Sequence, residues 1–296
     1  MKLSRFRQGL VAASYVAILC ISSIAKAHAE SATVAVASNF MAPMKVIASE
    51  FEEATGHKVN LAFGSSGKLY AQIINGAPFQ LFLSADQSKP SELIETGKHD
   101  AQYRFTYAIG KLALVSDTLF GDVASQSPAN PKQQVESNQF DRIAIANPRV
   151  APYGKAATEV LDYFDLGDAI NSKIVQGENI AQVYQFVSSG NVSLGFVALS
   201  QVRSQARSQM GSSATDNPQN LLDSNRVWVV PANLHTPIKQ DMLLLKSGES
   251  NEAAIGLYHW IKSADMQLLI ESFGYETVSD SAASEREVAR EGESSK

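Results

Sequence analysis

Cysteine occurs once in this chain of 296 residues, at Cys20. A single thiol excludes an internal disulfide framework and any multi-cysteine metal centre. Histidine is nearly as scarce. His57, His99, His235 and His259 stand far apart, without the spacing of a ligand set, so no bare-cation site is signalled. Basic excess is also missing: 25 Lys and Arg face 30 Asp and Glu, a formal net charge of −5, which argues against nucleic acid as a partner. Beyond the first 29 residues no apolar run is long enough to cross a membrane.

What is there begins at the N-terminus. Lys2, Arg5 and Arg7 precede a mostly apolar run over 10–24, and Ala27-His28-Ala29 follows with small residues at two alternate positions. This is the pattern of a secretory signal peptide over residues 1–29, cleaved after Ala29. Its short, serine-interrupted apolar core disfavours a retained anchor. A lipoprotein would use Cys20, but Leu19 before it is too bulky. Removing the segment takes away the only cysteine and four positive charges, which moves the formal charge from −5 to about −9. Such an exported chain depends on its hydrophobic core, and it is long enough to build one. Residues 279–296 are polar and charged, and their composition predicts a disordered tail.

From Thr33 onward strand-like and helix-like segments alternate. TVAVAS (33–38), VNLAF (59–63) and QLFLSA (80–85) read as strands. The segments between and after them have apolar residues at helical spacing, Phe40, Met44, Ile47, Ala48 and Phe51 being the clearest set. The βαβαβ rhythm predicts a parallel, doubly wound sheet. The pattern restarts after FTYAIGKLALVS (105–116), continues through RIAIAN (142–147), KIVQG (173–177) and SLGFVA (193–198), and returns at RVWVVP (226–231) and KQDMLLLK (239–246). Residues 121–139 read as a polar loop. The expected architecture is two α/β lobes, the first from 30–108 plus 229–278, the second from 109–228, joined by a two-strand hinge. A cleft between such lobes is the expected place for a small ligand.

Four strand-to-helix junctions share a polar, donor-rich character. Ser38-Asn39 is the first, and either an ordinary helix cap or an anion contact would use these residue types. The second is FGSSGKL (63–69), readable as a tight turn with a cap or as a wall of backbone N–H groups and hydroxyls facing an anion. Two sharper readings fail there. A P-loop needs glycine where Ala62 stands and Ser or Thr where Leu69 stands. A hydrolase nucleophile elbow needs Gly-x-Ser-x-Gly, and this stretch has Gly-Ser-Ser-Gly. The third junction is NPRVAPYG (147–154), where Tyr153 either packs or meets a ligand. The fourth is GENIAQV (177–183), where Ile180 is a core residue that offers a ligand only its backbone N–H. Asp86 suits a turn-supporting role better than a catalytic one. Lys68 and Arg149 read as solvated charges that could neutralise a ligand.

Taken together, TVAVASNF, FGSSGKLYAQI, GAPFQLFLSAD, IAIANPRVAPYGKAA, GENIAQV and SLGFVALSQV make the sequence resemble the periplasmic molybdate-binding proteins, the substrate-binding subunits of molybdate ABC transporters, over about residues 33–275. The resemblance implies a type II two-lobe periplasmic binding protein, a monomer that is not an enzyme. It implies molybdate or tungstate as ligand, no cofactor and no catalytic residue. An inner-membrane permease with its cytoplasmic ATPase would be the partner. In that family serine hydroxyls and helix-start N–H groups hold the tetrahedral oxyanion without a cationic side chain. The matching positions here are Ser38 with Asn39, Ser66 with Ser65 or Gly67 beside it, Tyr153, and Ile180 through its N–H. Some members place a ligand-binding tyrosine where this chain has Ala198, and Tyr153 is expected to compensate.

Such a cage avoids the cost of burying Lys or Arg. Because it is built almost only of donors, it suits a fully deprotonated dianion better than a protonated phosphate. The rival readings are a sulfate- or phosphate-type binder, an exported serine hydrolase with Ser66 as nucleophile, and a passive adaptor.

Overall fold

The structure, a computed structural model, describes residues 29–119, 130–210 and 226–277. The expected signal peptide and C-terminal tail lie outside the described residues.

The first strand, β1 (Ser31–Ala37), leads through a short 3-10 turn (Ser38–Phe40) into α1 (Met41–Thr55). The α1 face of Met44, Ile47, Ala48 and Phe51 is buried, as its spacing predicts, and Pro43 sits in the first turn, where no intrahelical N–H bond is lost. Gly56 ends the helix with a left-handed φ of 76°, a conformation that costs glycine no Cβ clash. Then come β2 (Lys58–Gly64), α2 (Ser66–Ile74), β3 (Leu81–Leu83), α3 (Ser88–Glu95) and β4 (Arg104–Gly110). The first sheet has the order β2-β1-β3, with these three parallel, followed by β10 (Ile238–Leu244) and β4. β10 runs antiparallel to both β3 and β4. The sheet is therefore mixed: its parallel half is the βαβαβ unit, and the antiparallel strand is the one that re-enters from the second lobe.

The extended stretch 105–116 splits at Lys111. β5 (Leu112–Ser116) belongs to a second sheet, with α4 (Pro131–Glu136), β6 (Ile143–Ala146), α5 (Pro152–Tyr163), β7 (Ile174–Gly177), α6 (Ile180–Ser188), β8 (Leu194–Ala198), α7 (Leu199–Met210) and β9 (Val227–Val229) following in the chain. Its strand order is β7-β6-β8-β5-β9, parallel over β7-β6-β8 and antiparallel at β5 and β9. The helix α4 lies in the stretch expected to be loop. Asn130 accepts the Lys132 N–H, and Pro131 occupies the first helical position, so a capping signal in polar sequence made one short helix. The chain ends with α8 (Glu252–Lys262), α9 (Ala264–Ser272) and a bridge that pairs Glu276 with Ile109 of β4.

Both faces of the first sheet are covered. Val34, Val36, Leu81 and Leu244 meet α1, α8 and α9, while Ala35, Phe82 and Leu243 meet α2 and α3. The second sheet has one contiguous core around Leu114, Ile143, Phe196 and Val197. Two connections join the sheets, one between β4 and β5 and one between β9 and β10. No described helix is long and apolar enough to cross a membrane.

Candidate functional site

The four junctions singled out in the sequence converge where the lobes meet. Ser38, Asn39, Ser65, Ser66, Tyr153 and Ile180 line one small cavity, closed by Ala37, Gly64, Ala85, Ala151 and Pro152. The cavity is small, about 10 Å³, of a size for one compact group. Among the described residues no charged side chain lines it.

Capping does not account for the serines. Ser65 is the N-cap residue of α2, yet its side chain makes no capping hydrogen bond, and its Oγ is buried without a partner. That is a costly state for a hydroxyl unless something else occupies the cavity. Ser66 Oγ accepts the Ala85 N–H at 2.8 Å, so its own proton is free to point elsewhere. Neither Ser38 nor Asn39 caps α1, whose N-cap is Phe40. At the fourth junction the cap is real: Asn179 Oδ1 accepts from Ala181 N–H at 3.0 Å and Gln182 N–H at 3.2 Å. This leaves the N–H of Ile180, the first residue of α6, outside the capped pair.

Backbone donors follow from the same geometry. The first N–H groups of a helix have no carbonyl within it to bond. Among the described residues, the N–H groups of Asn39, Ser66, Tyr153 and Ile180 bond no carbonyl outside their own element and no side chain. Three α-helices, α2, α5 and α6, begin at this cavity, and their N-terminal dipole ends add positive potential without a formal charge.

The side chains of Asn39 and Tyr153 are engaged behind the cavity. Asn39 Nδ2 donates to Gln240 Oε1 at 2.8 Å and to the Tyr275 hydroxyl at 3.1 Å. The Tyr153 hydroxyl accepts from Gln240 Nε2 at 3.3 Å. It lies so close to Gly110 that a Cβ there would be 2.1 Å from the oxygen, which is why a glycine ends β4. Burial pushes the Tyr107, Tyr153 and Tyr275 hydroxyls above the ordinary tyrosine range, so all three stay neutral. Gln240, Tyr107, Tyr275 and Ser200 were not singled out in the sequence. The available signal was Lys239-Gln240-Asp241, three polar residues in a strand that is otherwise apolar, the last two of them buried.

The charged candidates stand outside the cavity. Lys68 pairs with Glu178 at 2.7 Å, both half-exposed, on the rim. Arg149 is exposed. Asp86 accepts from Lys89 N–H at 2.9 Å and Ser84 Oγ at 3.2 Å, which supports the start of α3, and burial raises its pKa. Ala198 is fully buried, its N–H held by Gln201 Oε1 at 2.9 Å. Among the described residues no group of three or more His, Cys, Asp or Glu could hold a metal ion.

Two mixed α/β lobes around a small donor-lined cavity define a solute-binding protein. A family model described as bacterial extracellular solute-binding protein matches residues 32–276, and the chain belongs to that family. Within it, the molybdate-binding protein ModA of Azotobacter vinelandii is 45% identical over 249 residues, 84% of this chain and 91% of that one. ModA of Rhodobacter capsulatus is 38% identical over 275 residues, 93% of this chain and 100% of the relative. The solved Azotobacter vinelandii periplasmic molybdate-binding protein superposes with a TM-score of 0.70 at 34% identity, covering 82% of this chain and 98% of that structure.

Proposed function

We propose that this protein captures molybdate, and tungstate as its near-isostere, between its lobes in the periplasm and delivers it to an ABC transporter permease. No bond is made or broken. The observation that carries the reading is a small cavity lined by neutral donors with a buried, unpartnered Ser65 hydroxyl on its wall. Molybdate-binding relatives at 45% and 38% identity support the ligand, and the solved relative, a periplasmic protein, supports the compartment.

In this reading the dianion accepts hydrogen bonds from the hydroxyls of Ser38, Ser65 and Ser66 and from the N–H groups of Asn39, Ser66, Tyr153 and Ile180. Tyr153 acts through its backbone, since its hydroxyl already serves Gln240. Neutral donors on helix ends hold the charge without the cost of a desolvated cation. A protonated oxyanion would bring a donor into a wall of donors. A smaller dianion would leave gaps and lose contacts on one side. Export through residues 1–29 and a monomeric state belong to the same proposal.

Titration calorimetry of the mature chain with molybdate, beside labelling with a fluorophosphonate, separates this from hydrolysis. Saturable one-to-one binding with Ser66 unlabelled is expected. Covalent labelling of Ser66 without oxyanion binding would overturn the proposal in favour of a hydrolase.

A further inference from the structure

Behind the cavity lies a buried polar cluster that joins two of its lining residues, Asn39 and Tyr153, to residues that do not line it. Asn39 is at its centre. Its carbonyl accepts from Ser200 Oγ at 3.0 Å and from the Tyr275 hydroxyl at 2.9 Å, and that hydroxyl is also 3.0 Å from Ser200 Oγ. Its amide nitrogen donates to Gln240 and Tyr275. Gln240 in turn accepts from the Tyr107 hydroxyl at 3.1 Å and donates to Tyr153. Ser200, Gln240, Tyr107, Tyr153 and Tyr275 are all buried.

The cluster is made by both lobes. Asn39, Tyr107 and Gln240 belong to the first sheet or to the turn that leaves it, and Tyr275 packs on the same core. Ser200 is the second residue of α7, just after the second-lobe strand β8, and Tyr153 is in α5. Three contacts therefore cross between the lobes: Ser200 to Asn39, Tyr275 to Ser200, and Gln240 to Tyr153. They can form only when the lobes are together. Two of them end on residues that line the cavity, Ser200 on Asn39 and Gln240 on Tyr153.

We infer that Ser200 and Tyr275 are positioning residues that fix the Asn39 backbone when the lobes close and thereby set how slowly the bound oxyanion is released. The inference rests on the proposed oxyanion binding. Neither residue lines the cavity, so neither touches the ligand. Hydrogen bonds buried away from water add to the closed state alone, because in the open state the same groups are hydrated. A contact formed after encounter changes dissociation and leaves association nearly untouched.

Stopped-flow measurement with molybdate, on wild type first, tests this. Ser200→Ala is expected to raise the dissociation rate about three- to tenfold, the loss of about one buried hydrogen bond, with the association rate nearly unchanged. Tyr275→Phe should act in the same direction, and Ser200→Thr, which keeps the hydroxyl, should restore slow release. The ligand-free melting temperature reports folding. Should Ser200→Ala fail to fold, Tyr275→Phe carries the test. Wild-type dissociation rates in both variants would overturn the positioning role. Wild type that binds neither molybdate nor tungstate would overturn the proposed function itself, a separate result seen before any variant is made.

Discussion

Ser66 illustrates how one side chain would serve the proposed site. The Ala85 N–H occupies one of its lone pairs, so the hydroxyl proton has a defined direction left to it. Ser66→Ala is expected to weaken molybdate binding by about 1–3 kcal/mol, the cost of one donor to a charged acceptor, as calorimetry would read it. Unchanged affinity would remove Ser66 from the site. The tyrosines make a different kind of prediction. Burial raises Tyr107 and Tyr153 well above the usual value in the folded state. A raised folded pKa contributes stability that is present below the unfolded value and lost as pH rises past it. Melting temperature should therefore be free of tyrosine-linked change up to about pH 10 and should fall above it. A tyrosine-linked loss near neutral pH would contradict the buried network. At this scale the residues that line the cavity were legible, because each sits at a strand-to-helix junction with Gly, Ser or Pro punctuation. Ser200 and Tyr275 were not. A serine after a strand and a tyrosine after a helix are commonplace, and only the closing of two lobes gives them partners.

Among the elements, α2 depends on the lobe opposite. Gly67 N–H donates to Val150 O at 2.9 Å across the cleft, and a Cβ on Gly67 would lie 3.0 Å from the Val150 Cα. Gly67→Ala should thus resist closure, weakening binding about tenfold while the ligand-free melting temperature stays near wild type. Equal affinity in calorimetry would show that the lobes can bind without this approach. β10 carries the opposite lesson. Asp241 is fully buried, paired with Arg104 and accepting from Thr106 Oγ1 at 2.6 Å and Gln87 Nε2 at 3.1 Å. Replacing it with alanine strands those donors, and the loss expected in chemical denaturation is about 3 kcal/mol. The β1-to-α3 rhythm was legible because each strand is an apolar run and each helix has a one-sided stripe. The mixed sense of both sheets was not. Strand periodicity carries no direction, and β10 enters its sheet only after a long excursion through the second lobe.

For the whole molecule, the second sheet is an insertion between β4 and β10, and the cavity lies between the two sheets' helix ends. A ligand held there touches both lobes and so binds the folded, closed chain far better than any unfolded form. Mass action then raises the melting temperature, by about 2.7 kcal/mol of added stability at a hundredfold excess over Kd. The most direct test of an oxyanion cage is thermal unfolding of the protein with molybdate, tungstate, sulfate and phosphate at equal concentrations. A clear rise with molybdate and tungstate is expected, and none with the other two. A rise with sulfate or phosphate alone, or no rise with any of the four anions, would contradict the cage.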